Sequence, residues 1–268
     1  MKTTVFAALL LASAAGVASA QPFPFNQAGV TNGHWHLNSK DVAVNEKIFV
    51  GMGGKAFQAG GRHRVNFPGV MIILDAAPGT PPPTAGTRGC VVNHVGFVVN
   101  DVQARVAEWN AKGVAVLPGN NGRLDQAYVE TPDGLRIEIL ENKNQPMPIQ
   151  SEHVHFFLPE PAIAQSQAWY GKIFGAKASV RNNAPVADIP GVQLRFNKAD
   201  QAQAPTKGRV LDHIGFDVKD LKAFIKTTLE TNNIKLDRPY SVNDSGIGIA
   251  FITDPWGTYI EINERPPQ

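Results

Sequence analysis

Apolar and polar positions alternate along Leu135-Arg136-Ile137-Glu138-Ile139 and again along Thr258-Tyr259-Ile260-Glu261-Ile262. Each run follows a tight turn, Thr131-Pro132-Asp133-Gly134 or Asp254-Pro255-Trp256-Gly257, and reads as a strand with two unlike faces. Elsewhere the period lengthens. Leu221, Phe224, Ile225, Thr228 and Leu229 follow the spacing i, i+3, i+4, i+7, i+8, which predicts an amphipathic helix ending at Asn232-Asn233. Val102, Val106 and Trp109 predict a second helix, ended by Gly113. Ala162 to Phe174, ended by Gly175, and Val42 to Met52, ended by Gly53-Gly54, predict two more. Asp41, Asp101, Glu160 and Asp220 precede these helices and read as N-caps, because a short side-chain acceptor there satisfies a free backbone N–H.

The four helices belong to a repeat. Gly33-His34-Trp35-His36-Leu37, Asn93-His94-Val95-Gly96-Phe97, Glu152-His153-Val154-His155-Phe156 and Asp212-His213-Ile214-Gly215-Phe216 align. Their leading histidines recur at intervals of 60, 59 and 60 residues, and the acid of each unit stands seven positions later. Each unit reads β-α-β-β-β, so the fold class is α+β. Units one and three carry His-x-His; units two and four carry His-x-Gly and end in Ile-Glu-Ile. This alternation makes a pair of units the true repeat. The expected layout is a first domain over 27–142 (units 27–80 and 89–142), a polar linker over 143–150 with Pro146 and Pro148, and a second domain over 151–265 (units 151–200 and 209–265).

Residues two apart on a strand share a face, so an opening His and a closing-strand Glu of one unit can enter one hollow. With sequence-adjacent units paired, the first domain offers His34, His94 and Glu138, and the second His153, His213 and Glu261; pairing of unit one with unit four, or across a dimer, stays open as the alternative. Two imidazoles and a carboxylate with open positions suit non-haem Fe(II), the favoured ion, with Zn(II), Mn(II) and Ni(II) as alternatives, one per domain. A carboxylate inside an apolar strand is costly to bury alone, and a cation removes that cost. His36 and His155, on the same faces, are candidate hydrogen-bond partners of the substrate, acid/base groups or substitutes for His34 and His153 as ligands. Tyr259 shares a face with Glu261 and is a further candidate in catalysis. His63, between Arg62 and Arg64, reads as a solvated loop residue, with binding of an anionic substrate as the alternative.

Composition narrows the partners. A net charge of +2 without a Lys/Arg run gives no footprint for nucleic acid, and no segment after the N-terminus is long and apolar enough to span a membrane. Lys2, the apolar stretch Val5 to Val17 and Ala18-Ser19-Ala20 predict a signal peptide over 1–20, cleaved near Ala20. The mature chain is expected in the periplasm or outside the cell, with a small-molecule substrate and a surface compatible with a homodimer. Cys90, the single cysteine, allows no internal disulfide and reads as a buried apolar residue.

The motifs around His213 (Asp212 to Leu221) and Glu261 (Asp254 to Glu261) resemble the vicinal oxygen chelate superfamily, and the resemblance runs through all four units. It implies two β-α-β-β-β units closing into an incomplete barrel around a metal held by opening histidines and a closing-strand Glu. By resemblance those ligands map to the six residues named from spacing. The implied activity is that of a divalent-metal enzyme on a small oxygen-bearing substrate, extradiol-dioxygenase-like or glyoxalase-like. The alternative is a metal-free binding protein of the bleomycin-resistance type. Glyoxalase I takes a fourth ligand from the first unit's closing strand, where this chain has Ile73 and Arg195.

Overall fold

A computed structural model describes residues 23–76, 81–243 and 246–265; the expected signal peptide over 1–20 lies outside the described residues. Each unit folds as anticipated. Unit one comprises β1 (Val30–Asn38), α1 (Val42–Gly51), β2 (Lys55–Ala59), β3 (Arg62–Phe67) and β4 (Val70–Asp75). Unit two comprises β5 (Val92–Val99), α2 (Val102–Ala111), β6 (Val116–Pro118), β7 (Gln126–Glu130) and β8 (Arg136–Glu141). Unit three comprises β9 (Ile149–Leu158), α3 (Glu160–Phe174), β10 (Lys177–Arg181), β11 (Ala184–Ile189) and β12 (Val192–Lys198). Unit four comprises β13 (Leu211–Val218), α4 (Leu221–Phe224), β14 (Arg238–Val242), β15 (Gly248–Thr253) and β16 (Tyr259–Glu264). In this last unit α4 runs on through a π turn (Ile225–Leu229) and a 3-10 turn (Glu230–Asn232) to a left-handed Asn233 with φ 56°.

Three of the four expected N-caps form. Asp41, Asp101 and Asp220 accept from the N–H groups of Val44, Ala104 and Ala223 at 3.1, 2.9 and 2.8 Å. Glu160 does not cap. It is the first residue of α3, Pro159 takes the N-cap position, and the Glu160 carboxylate reaches out to Lys198 Nζ at 2.8 Å. Its extra methylene carries the acceptor beyond the local backbone, where Asp folds back onto it.

The strands make two eight-stranded sheets, and here the expected domains are redrawn. One sheet runs β14-β15-β16-β13-β1-β4-β3-β2 and the other β10-β11-β12-β9-β5-β8-β7-β6. Unit one therefore shares a sheet with unit four, and unit two with unit three, each pair joined through antiparallel central strands, β1 with β13 and β5 with β9. The segment over 143–150 is no domain boundary: β9 begins inside it at Ile149, and it links the two units of a single sheet.

The cause lies on the other face of the central strands. Trp35 and Phe97 alternate with the histidines and meet at 5.4 Å between ring centroids, with Phe67 4.7 Å from Phe97. Phe174 and Phe216 likewise meet at 4.7 Å. Sequence-adjacent units thus pack back to back through apolar faces and helices. Trp35, Phe97, Phe174 and Phe216 are all buried in that core. Sharing a core already satisfies the apolar surface of neighbouring units, and the sheet edges of β1 and β5 are left to the more distant partners.

Candidate metal centres

The histidine faces of the two sheets each gather four donors. In centre one, β1 supplies His34 and His36, β13 supplies His213 and β16 supplies Glu261. In centre two, β9 supplies His153 and His155, β5 supplies His94 and β8 supplies Glu138. Within each group one ligand atom per residue lies within 4.8 Å of all the others. The six residues expected as ligands converge, but in other company. His34 joins His213 and Glu261 rather than His94 and Glu138, and His153 joins His94 and Glu138 rather than His213 and Glu261. The exchange follows from the sheet pairing: registers bring His36 opposite His213 and His155 opposite His94.

The same registers explain the alternation of His-x-His with His-x-Gly. His34 faces Gly215 and His153 faces Gly96 across the central strands. A β-carbon on Gly96 would lie 1.9 Å from His153 Cε1, and one on Gly215 2.2 Å from His34 Cε1. The imidazole of one unit occupies the side-chain volume its partner unit gives up. Gly215 and Gly96 in turn sit beside Glu261 and Glu138 on the parallel closing strands, so ring and carboxylate meet over the glycine.

Each leading histidine is preceded by a residue skipped in the ladder: Gly33 and Asp212 between β1 and β13, Asn93 and Glu152 between β5 and β9. These bulges let a neighbour in sequence reach the ring it precedes, which regular alternation forbids. His213 Nδ1 lies 2.7 Å from Asp212 Oδ1, His153 Nδ1 2.5 Å from Glu152 Oε2, and His94 Nδ1 3.0 Å from Asn93 Oδ1. Asp212 also accepts from Gly208 N–H at 2.7 Å, and Arg195 donates to Glu152 at 2.5 Å. These outer partners were missed in the sequence as functional residues. Their signal was a polar side chain immediately before three of the four leading histidines.

Charge is concentrated at both centres. Glu261 Oε2 lies 2.8 Å from His213 Nε2 and 3.4 Å from His34 Nε2; Glu138 Oε2 lies 3.1 Å from His153 Nε2 and 3.3 Å from His94 Nε2. Burial pushes both carboxyl groups up, but the facing imidazoles outweigh it and hold them well below the usual carboxylate range. Burial lowers His36 and His94 to about 4, and His155 well below its ordinary value, so these rings are neutral at pH 7. For His213 and His153 burial acts downward too, yet Asp212 with Glu261, and Glu138 with Glu152, raise them.

The donor set fits a divalent cation. His34 Nε2 and His153 Nε2 are buried without an aligned hydrogen bond, as are His36 Nδ1 and His155 Nε2. A buried polar atom left unpaired costs about 1–3 kcal/mol. His34 Nε2 and His153 Nε2 have only a poorly aligned carboxylate at 3.4 and 3.1 Å, an arrangement that a cation shared between ring and carboxylate would satisfy. Imidazole and carboxylate are suitable ligands for Fe(II), Zn(II), Mn(II) or Ni(II). His36 and His155 sit among the donors themselves. Tyr259 is buried at the mouth of centre one, with its ring 5.6 Å from that of His213 and its hydroxyl pushed up to about 12 by burial. His63 is on β3 rather than in a loop, with Nδ1 2.7 Å from Glu46 on the side away from the histidines. Cys90 is buried, as expected.

The two centres open differently. A cleft of about 610 Å³ reaches His36, His213 and Glu261 between Asn38, Lys207 and Tyr259. A cleft of about 720 Å³ reaches His155 and Glu138 by way of Gln150, Glu152 and Asn142, the opposite end of the equivalent strands. In centre two Gln126 and Tyr128 donate to Glu138, and Arg136 covers the Tyr128 ring at 3.9 Å.

No protein-family model matches the chain, and no curated protein matches it in sequence. Solved structures do. Glyoxalase I from Zea mays superposes with a TM-score of 0.65 at 15% identity, over 88% of this chain and 92% of that one. A candidate dioxygenase from Bacillus subtilis subsp. subtilis str. 168 superposes with a TM-score of 0.63 at 16% identity, over 88% and 86%.

Proposed function

We propose that this chain, whose fold is that of the vicinal oxygen chelate superfamily, is a divalent-metal-dependent enzyme acting on a small oxygen-bearing substrate. The observation carrying this reading is the convergence of three imidazoles and one carboxylate in each sheet, all buried but the half-buried His155, with several ring nitrogens that lack an aligned hydrogen bond. The ions would be held by His34, His36, His213 and Glu261, and by His94, Glu138, His153 and His155. Fe(II) is the favoured ion.

When bound, such an ion supplies a Lewis acid for a pair of substrate oxygens. The residues do the rest. Asp212 and Glu152 fix the ring orientation of His213 and His153 through Nδ1, as outer carboxylates do at imidazole ligands. His36 lies on the floor of the 610 Å³ cleft, and burial keeps its ring neutral, the form in which an imidazole can ligate. Tyr259 stays protonated at neutral pH and can donate its hydroxyl hydrogen into the same space. Burial limits access of water to the His34, His36, His213 and Glu261 donor atoms themselves.

The named activities of similar folds, a glyoxalase I and a candidate dioxygenase, divide the reaction into two classes. Dependence on O2 separates them: oxygen uptake with catechol-type substrates supports the dioxygenase, and isomerisation of a hemithioacetal without oxygen supports the glyoxalase. Elemental analysis of the purified protein, before and after reconstitution, comes first. One ion at each centre is expected; a chain that takes up none is instead a metal-free binding protein.

A further inference from the structure

We infer that the cleft over centre one selects a small organic anion, a carboxylate on a flat apolar body, and that Arg62, Arg64 and Arg238 are its specificity residues. The inference rests on the reading that centre one forms the floor of a substrate site. Four cationic side chains line this cleft, Arg62 and Arg64 from β3, Lys207 from the loop before β13, and Arg238 from β14.

The acids in the same lining are already engaged. Asp212 holds His213 and the Gly208 N–H, and Glu261 holds His213. Asp75 lies 3.3 Å from Arg62 Nε and 3.5 Å from His36 Nε2. Arg64 has no ion-pair partner among the described residues, and its Nε is buried without a hydrogen bond. Two neighbouring guanidinium groups, one of them unpaired, repel each other unless an anion joins them.

The second sheet repeats the same architecture, and the positions matching Arg62 and Arg64 are Ala184 and Val186. The match follows from register: Arg64 pairs with Ile73 as Val186 pairs with Arg195. The equivalent strand forms without charge, so Arg64, which has no ion-pair partner among the described residues, is available to a ligand in the cleft, with Arg62 beside it on Asp75. Alternation along β3 turns both arginines to the cleft and His63 away from it.

The apolar body is matched by the Phe251 and Tyr259 rings, stacked at 5.1 Å and 19°, together with Ile249. Arg238 lies 4.8 Å over Phe251 and Lys207 4.4 Å over Tyr259, which pins both cations at the edge of this wall. A flat anion between the rings and the Arg62–Arg64 pair satisfies both surfaces.

Benzoate, which carries one carboxylate and does not need a metal to bind, is the probe, with benzamide as its neutral counterpart. Calorimetric titration of the metal-free and metal-loaded chain should show benzoate binding in both. Benzamide and the variants Arg64→Gln and Arg238→Gln should bind at least roughly tenfold more weakly, the loss of one charge-assisted contact. Affinity should fall with added NaCl. Arg123→Gln, in the other cleft, should leave benzoate binding unchanged. Circular dichroism identifies any variant that fails to fold, and Arg62→Gln then replaces it. Absent benzoate binding, equal binding of benzamide, or wild-type affinity in the arginine variants overturns the inference. Because the metal-free titration stands alone, a chain that binds benzoate but no ion would overturn the metal reading and leave this one intact.

Discussion

The imidazole of His153 occupies the volume that a β-carbon on Gly96 would need, with Cε1 1.9 Å from that position. His34 and Gly215 repeat the relationship in the other sheet at 2.2 Å. A methyl group at either glycine must push the ring off its donors, because the nearest atoms are the ring itself inside a packed strand pair. Gly96→Ala should weaken ion binding at centre two at least roughly tenfold and leave centre one loaded, at a stability cost of about 1–3 kcal/mol. Gly215→Ala should do the converse. Equilibrium dialysis with elemental analysis reads both, and an alanine variant that keeps both ions refutes the packing argument.

Pairing of distant units makes a sharper prediction. If His34 serves centre one, then His34→Ala and Glu261→Gln lose the same ion, and the double variant loses no more than either single one. His153→Ala and Glu138→Gln should likewise fall into one class, distinct from the first. Loss of two ions in His34→Ala combined with Glu138→Gln completes the test. If that combination instead lost only one, the two residues would share a centre, as sequence adjacency alone would have it.

Outer carboxylates should tune affinity without setting stoichiometry. Asp212→Asn and Glu152→Gln keep a hydrogen-bond acceptor near Nδ1 but remove the charge that favours a firmly oriented ring. Each should weaken the ion at its own centre by roughly 10–100-fold and restore full loading at high metal concentration. Asn93 shows the scaffold accepting a neutral partner at this position, 3.0 Å from His94 Nδ1. Unchanged affinity in both variants would reduce Asp212 and Glu152 to surface polar residues.

Most of this scaffold was legible because its signals are local. The helices announced themselves through periodicity and aspartate caps, and the closing strands through turns before Ile-Glu-Ile. All six expected ligand positions enter the two donor groups, since strand alternation alone puts His34, His94, Glu138, His153, His213 and Glu261 on inner faces. What the sequence concealed was long-range. Which histidine meets which glutamate depends on whether adjacent units share a sheet or a core, and Trp35 against Phe97 decided for the core. The adjacency of Asp212 to His213 was equally hidden: in a regular strand the two point apart, and only the skipped register turns them together. Glu160 misled because an acid in the cap column of the repeat was read as a cap, whatever its length.

One buried contact between units three and four carries a pH dependence. Tyr170 OH donates to Asp254 Oδ2 at 2.9 Å, while Asp254 Oδ1 accepts from the N–H groups of Trp256 and Thr258 at 2.9 and 2.7 Å. Burial raises the Asp254 carboxyl above its ordinary value of 3.8, and these donors only partly offset it. Above that ordinary value the unfolded chain has released a proton that the folded chain keeps. The contribution of Asp254 to stability is therefore full below about pH 4 and is lost as pH rises through its folded pKa. Asp254→Asn removes the titration, so urea denaturation should show the wild-type chain losing stability relative to Asp254→Asn as pH rises from 4 toward 7. Tyr170→Phe takes away a donor to the carboxylate, should cost about 1–3 kcal/mol at neutral pH, and should carry the decline to higher pH. Parallel stability profiles for the wild-type chain and Asp254→Asn would show that the carboxyl titrates as it does in water.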